Sequence, residues 1–433
     1  MNIIKYPERK TWSKVLTRPE TNNTKLLATV KEVMTAVRQK GDEAVHAYGE
    51  KFDNVKVMHL KVASVEMQEN TSILPKDLKN AIISAQKNIE YFHRTQVTRP
   101  QKVETIPGVV CWQKPVPIEK VGLYIPGGTA PLFSTVLMLA IPAKIAGCNE
   151  IILCTPPNKE GDIHPAILFA AKIAGVSKVF KIGGIQAIAA MTYGTKSVPK
   201  VYKIFGPGNQ YVTAAKQWAA MNGKVAIDMP AGPSEVAIIA DESANPAFVA
   251  ADMLSQAEHG ADSQAILLTS SEKLVAKVRN ELEKQLPALP RRDIAAKAMA
   301  NSRIVVLKND DEIVELSNLY APEHLIIETK NYQELSERVI NAGSVFLGHY
   351  TPESAGDYAS GTNHTLPTNG YAKMYSGVNL DSFLKKITFQ EITRRGIANL
   401  APTIDVLAQA ELLDAHRNAV NLRINSSSKQ EKF

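Results

Sequence analysis

At 433 residues, 45% hydrophobic and 21% charged, the chain is long enough for two or more domains and ordinary in composition for a globular protein. Its net charge of +7, from 50 basic and 43 acidic residues spread along the chain, argues against a nucleic-acid-binding stripe but suits an anionic ligand such as a dinucleotide. Three cysteines (Cys111, Cys148, Cys154) with no CxxC pair argue against a disulfide framework. Met1 to Lys10 lack the apolar run of a signal peptide. The most apolar stretch, Pro131 to Ala143, is too short to span a bilayer, so a cytoplasmic protein is expected.

Residues 1 to about 22 read as an irregular arm. From Lys25 to about Lys51, Leu26, Val30, Val33 and Val37, then Val45, Tyr48 and Phe52, recur at helical spacing, with Gly41-Asp42 between two helices. A further helix is expected from Pro75 to Gln96. From Val121 the pattern becomes strand, turn, helix, with strands at 121–125, 150–154, 178–182 and 200–204. Three of the turns carry glycine: Pro126-Gly127-Gly128, Gly183-Gly184 and Gly206-Pro207-Gly208-Asn209. Glycine lets the backbone approach a phosphate, and a helix N-terminus offers free amides. A nucleotide site at these strand ends is one reading; plain helix-entry turns are the other.

A second series starts near Glu235, with strands at 236–240, 265–269, 303–307, 325–328 and 344–347. Such alternation implies parallel sheets covered by helices, one unit interrupted by, or followed by, the other. From about 380 a tail is expected, with one long helix from Thr403 to about Arg423 and a polar, disordered end over 426–433.

Ser255-Gln-Ala-Glu-His-Gly260 closes a helix opened by Asn245-Pro246. Gln256 and His259 are three apart there and share a face; both a ligand pair and a plain cap at the helix C-terminus fit that spacing. Three loops concentrate polar residues among Gly and Pro: 228–235, 320–325 and 351–364. Glu323-His324 joins a carboxylate to an imidazole that can take a proton near pH 7. A loop salt link is the plainer alternative. Asp357 and His259 suit Zn²⁺, but with no HExxH and no Cys pair the site would have to be assembled from distant segments.

Six motifs together resemble the histidinol dehydrogenase family along nearly the whole chain: Val121-Gly-Leu-Tyr-Ile-Pro-Gly-Gly128, Gly206-Pro-Gly-Asn209, Asp228-Met-Pro-Ala-Gly-Pro-Ser-Glu235, Ser255-Gln-Ala-Glu-His-Gly260, Tyr320-Ala-Pro-Glu-His-Leu325 and Gly356-Asp-Tyr-Ala-Ser-Gly-Thr-Asn-His364. The resemblance implies oxidation of L-histidinol to L-histidine with two NAD⁺, through an aldehyde, by a homodimer with exchanged C-terminal tails and one Zn²⁺ per subunit. It implies zinc ligation by Gln256, His259, Asp357 and His416. His324 is then the general base and Glu323 activates water. Ser234, His364 and Glu411 join His324 and the zinc set around the substrate, and Tyr124, Gln186 and Asn209 contact NAD. Glu411 and His416 lie five apart on the expected tail helix, about 140° around it, so one regular helix does not aim both at one small site.

The expected fold is α/β: two Rossmann-like, incomplete parallel-sheet domains, one inserted in the other, with a helical N-terminal arm and a tail packed on a partner subunit. The division is an arm over 1–22, a first domain over 23–120 and 235–379, a second over 121–234 and a tail over 380–433. Two other functions compete: a zinc and NAD dehydrogenase of another small alcohol such as a sulfonated diol, and a zinc hydrolase. A purely structural role ranks last, because polar loops this dense are destabilising without a task.

Overall fold

The computed structural model describes residues 1–19, 24–127, 130–230 and 232–425. The end of the expected arm, Gly128 and Ala231 of two motifs, and the polar end 426–433 lie outside these. By contact the chain forms two compact units, Met1–Gln96 with Ile118–Phe383, and Val97–Pro117 with Leu384 onward.

Within the first unit, strand Glu235–Ala240 is buried at every position, as a strand covered on both faces must be. Val236, Ile238 and Ala240 enter one core cluster, while Ala237 and Ile239 enter another, which is the period-2 alternation of a pleated strand. Around it runs a six-stranded parallel sheet in the order Asn2–Lys5, Arg303–Val306, Gln264–Thr269, Glu235–Ala240, His324–Glu328, Ser344–Leu347. A five-stranded parallel sheet runs Lys178–Lys181, Glu150–Thr155, Lys120–Tyr124, Lys203–Phe205, Ala226–Ile227. Truncating a side chain such as Ile238 to alanine in these cores would cost about 2–5 kcal/mol.

Three expectations need correction. The arm is not irregular throughout: Asn2–Lys5 pairs in parallel with Arg303–Val306 and becomes an edge strand, because Ile3 packs against the core beneath it. The second is that the helices between residues 24 and 94 go with the 235–379 series. Leu26, Val30, Val33, Met34 and Val45 instead pack with Ile152, Phe180 and Ile188 on one face of the five-stranded sheet, and Leu74, Ile82 and Ile89 pack on the other. Their apolar stripes match the sheet nearest in sequence.

The third concerns the second unit. Residues 97–117, expected within the first domain over 23–120, belong to it instead: Lys102–Ile106 and Val109–Pro117 form a hairpin, and Leu384–Ile392 completes an antiparallel sheet. The hairpin turns at Pro107-Gly108, where Gly108 has φ 87° and an added Cβ would meet Thr393 Oγ1 at 2.4 Å. The expected single tail helix is two, Arg394–Ala410 and Asp414–Asn425, broken where Leu412 adopts φ 58°. Glu411 caps the first and His416 lies in the second. Glu411 and His416 therefore do not share one regular helix, and the 140° between them does not apply.

Candidate active site

The site begins where helix Asp310–Tyr320 ends. Ala321 takes φ 52°, a left-handed turn that costs a side-chain-bearing residue about 1–2 kcal/mol. The turn brings Glu323 and His324 onto the amino end of strand His324–Glu328, beside strand Glu235–Ala240. Arg18 ties the same corner together. It pairs with both Glu235 oxygens (2.6 and 2.9 Å), donates to the Tyr320 carbonyl (2.7 Å) and lies 4.0 Å over the Tyr320 ring. The Glu235 N–H donates to Glu323 Oε2 at 3.0 Å.

Two more segments converge there. Glu353 and Asp357 stand one turn apart on the short helix Glu353–Tyr358, so both carboxylates share a face. Gln256 is on the last turn of helix Pro246–Ala257, oriented so that its amide nitrogen donates to both Glu353 oxygens (2.8 and 2.6 Å) while its oxygen accepts from Glu235 N–H at 3.1 Å. His259 follows at the solvent edge. One donor atom each from His259, Glu353 and Asp357 lie within 4.8 Å of one another. His364 Nδ1 is 2.8 Å from the Asp357 carbonyl, and its Nε2 is 3.0 Å from Thr135 Oγ1.

His324 is buried, and its ring is ringed by carboxylates. Nδ1 lies 3.7 Å from Glu323 and 3.8 Å from Glu353, and Nε2 lies 3.6 Å from Asp357. Burial alone would lower its pKa; the charges of Glu353, Glu323 and Asp357 outweigh burial and push it up to about 10. Burial raises Glu323 to about 7 and Glu353 to about 8. Burial works the same way on Asp357, but its contacts to His324 hold its carboxyl below the usual range.

The donor set fits a divalent cation. Asp357 Oδ1 is buried with no hydrogen-bond partner, which is the state of a ligand atom rather than of a structural carboxylate. An imidazole and carboxylates are donors a borderline cation such as Zn²⁺ takes, while the Gln256 amide presents its nitrogen to Glu353 and its oxygen to Glu235 N–H.

A cavity of about 950 Å³ opens at the carboxyl ends of the five-stranded sheet, lined by Tyr124, Gly127, Pro156, Gly184, Gln186 and Asn209 among others. The Tyr124 hydroxyl accepts from Gly184 N–H at 3.0 Å. Asn209 caps helix Gln210–Asn222, its Oδ1 accepting from Tyr211 and Val212 N–H. Gly206 passes so close to Tyr124 that a Cβ would stand 2.0 Å from its carbonyl oxygen. A buried ion pair, Lys216 with Asp228, pins this turn: Lys216 donates to the Gly206 carbonyl and Asp228 accepts from Gly206 N–H, both at 2.8 Å. Helix Phe133–Ala146 joins cavity and cluster. It starts just after the lining residue Pro131 and carries the Thr135 hydroxyl bonded to His364.

A family model described as histidinol dehydrogenase matches residues 16–424. The chain belongs to the histidinol dehydrogenase family. It is 65% identical over 426 residues to the histidinol dehydrogenase of Bacteroides thetaiotaomicron, covering 98% of this chain and 99% of that one. To that of Bacteroides fragilis (strain ATCC 25285) it is 62% identical over 429 residues, covering 99% and 100%. It superposes on the crystal structure of histidinol dehydrogenase from Elizabethkingia anophelis with a TM-score of 0.96 at 52% identity, covering 98% of both chains.

Of the residues the histidinol dehydrogenase motifs single out, the structure gathers Gln256, His259, Glu323, His324, Asp357 and His364 into one cluster. Ser234 is half-buried next to Glu235, its carbonyl accepting from Gln264 N–H. Tyr124, Gln186 and Asn209 share the cavity. Glu411 and His416 belong to the second unit, where both are exposed. The sequence reading missed Glu353, Arg18 and Thr135. For Glu353 a signal existed: it precedes Asp357 by one helical turn. For Arg18, 217 residues from Glu235, there was none.

Proposed function

We propose that this histidinol dehydrogenase family enzyme oxidises L-histidinol to L-histidine with two NAD⁺, through an aldehyde retained in the site, using one zinc ion per subunit, as the last step of histidine biosynthesis. What carries the reading is the placement of Glu323 and His324, adjacent and buried, beside the His259, Glu353 and Asp357 donor set. A hydride leaves an alcohol carbon only as the hydroxyl proton departs, and His324, once cation charge offsets the carboxylates that keep it protonated, is the group placed to take it. A second hydride requires the aldehyde to be hydrated. Glu323, poised near 7, takes the proton of the adding water, and His324 then deprotonates the hydrate. Over both steps, alcohol, water and two NAD⁺ become carboxylate, two NADH and three protons.

His259 and Asp357 would hold the zinc, with Glu353 at its edge, and Gln256 would join them with its amide turned over so that its oxygen faces the ion. When bound, the ion would grip the substrate's imidazole and amine nitrogens and offset the carboxylate charge around His324. Ser234 and His364 line the substrate's place. Glu323, Glu353 and Asp357 suit a cationic substrate and oppose an anionic sulfonate. A zinc hydrolase would leave the dinucleotide-sized cavity without a task.

The second unit exposes Phe389, Val406, Leu407, Leu412, Leu413 and Leu422. Apolar area of this kind supports a homodimer in which the tail, with Glu411 and His416, completes the site of a second copy. Three unpaired cysteines fit a cytoplasmic enzyme, and among the described residues no helix is long and apolar enough to cross a membrane. The test is NADH formation from L-histidinol by the purified protein, with and without chelator. Two NADH per histidinol, lost on chelation and restored by zinc, is the expected outcome; no NADH would overturn the reading.

A further inference from the structure

The cavity spans two faces of its sheet. At one side Pro131 leads into helix Phe133–Ala146, which packs in one core cluster and reaches the catalytic residues through Thr135. At the other side lie Glu32 of helix Thr24–Lys40 and Lys51, Phe52 and Asp53 of helix Asp42–Asp53, which pack with the opposite face. A dinucleotide whose nicotinamide faces His324 therefore puts its adenosine among these last residues.

Asp53 and Gln186 form a pair of acceptors there. Gln186 Nε2 donates to Asp53 Oδ2 at 3.3 Å, which fixes the amide's orientation. Its Oε1 is left without a hydrogen-bond partner although the side chain is fully buried. A buried amide oxygen of this kind is destabilising until a donor arrives. Gly183 packs closely on the same carboxylate: a Cβ there would stand 2.6 Å from Pro156 and 3.3 Å from Asp53 Oδ1, so only glycine fits beside it. Phe52 is exposed next to Asp53, its ring stacked on Tyr48 at 5.5 Å between centroids, which puts an aromatic edge where a purine would lie. Two adjacent acceptors match the two hydroxyl donors of a ribose.

We propose that Asp53 and Gln186, with Glu32 on the rim, read the adenosine 2′- and 3′-hydroxyls of the dinucleotide and reject a 2′-phosphate. The inference rests on the NAD⁺ reading above. A 2′-phosphate replaces a donor with a dianion and sets it against carboxylates. Lys51 is the one lysine or arginine lining the cavity among the described residues, and its ammonium is held 5.4 and 5.7 Å over the Phe52 and Tyr48 rings. Glu32 accepts from the Tyr48 hydroxyl at 3.1 Å on the same rim.

Calorimetric titration of the full-length, zinc-loaded protein with NAD⁺ and NADP⁺, alongside kcat/KM for both on histidinol, tests this. Wild type should favour NAD⁺. Asp53→Asn, with Asp53→Ser as the second variant should the first not fold, should narrow the NAD⁺/NADP⁺ ratio about tenfold by weakening NAD⁺ and tightening NADP⁺. Glu32→Gln should narrow it about threefold. Ratios within twofold of wild type in folded Asp53 variants would overturn the inference and leave the NAD⁺ reading intact. Failure of the wild-type protein to bind either dinucleotide would overturn both.

Discussion

The five-stranded sheet offers the carboxyl ends of its strands to the cavity, whereas the six-stranded sheet offers the amino ends of two strands to the Glu323–His324 cluster. The two wind alike. In each, the first strand of the series lies inside, the next two add to one side and the last two to the other. In each, the site lies where the winding reverses, between Lys120–Tyr124 and Lys203–Phe205 or between Glu235–Ala240 and His324–Glu328. What differs is the sign of the helix ends. Helices Gly184–Tyr193 and Gln210–Asn222 turn their N-termini, with partial positive charge, toward the cavity, which suits phosphates. Helix Pro246–Ala257 turns its C-terminus, with free carbonyls and partial negative charge, toward the cluster, which suits a cation. One topology can thus serve an anionic cofactor or a cation, depending on which edge is used.

The comparison breaks most visibly at His324. His324→Ala should lower turnover of both histidinol and the aldehyde by about 10²–10⁴-fold, with NAD⁺ affinity unchanged by calorimetry. A change in NAD⁺ affinity matching the rate loss would blur the division between edges. Glu323→Gln should depress aldehyde oxidation by about 10²-fold and alcohol oxidation by less than tenfold, read in single-turnover assays of each half. Equal losses would refute separate roles for the two neighbours.

Asn209→Ala removes a cap at the other edge. It should cost about 1 kcal/mol of stability and weaken NAD⁺ several-fold while zinc content stays at one per chain. The smallest effect is in pH. Without zinc, His324, Glu323 and Glu353 all have pKa values raised in the folded state, to about 10, 7 and 8. The folded protein then holds more protons than the unfolded chain, so stability falls as pH rises. For His324 the stabilisation is full below about 6.5 and is lost as pH climbs through 10. For the two glutamates the loss runs from about 4.5 upward. Metal-stripped protein should melt lower at pH 9 than at pH 6, and zinc should flatten the difference. A flat profile without metal would mean that the carboxylates do not charge His324.

Much of this was legible in the sequence. Strands such as Val236 to Ala240 announce themselves as short apolar runs bounded by Gly, Pro and Ser, and the alternation with helices implies parallel sheets. Cluster residues were legible because polar side chains crowd Gly- and Pro-rich loops. Pairing partners were not: Asn2–Lys5 has too few residues to show a period, and its partner lies 301 positions away. Nor could spacing reveal the break at Leu412, where left-handed backbone interrupts an otherwise helical pattern, or the hairpin whose third strand, Leu384–Ile392, comes from the tail. For Glu353 the sequence shows only an acidic residue one turn before Asp357; its bond to Gln256 is a contact made in three dimensions.

The central claim is that the amino edge of the six-stranded sheet is a cation site. Anomalous scattering at the zinc edge from crystals of the zinc-loaded protein tests it directly. A zinc ion held there gives one peak per chain at about 2.0–2.2 Å from a His259 ring nitrogen and an Asp357 carboxylate oxygen. A peak elsewhere, or none at these residues in fully active protein, would contradict it.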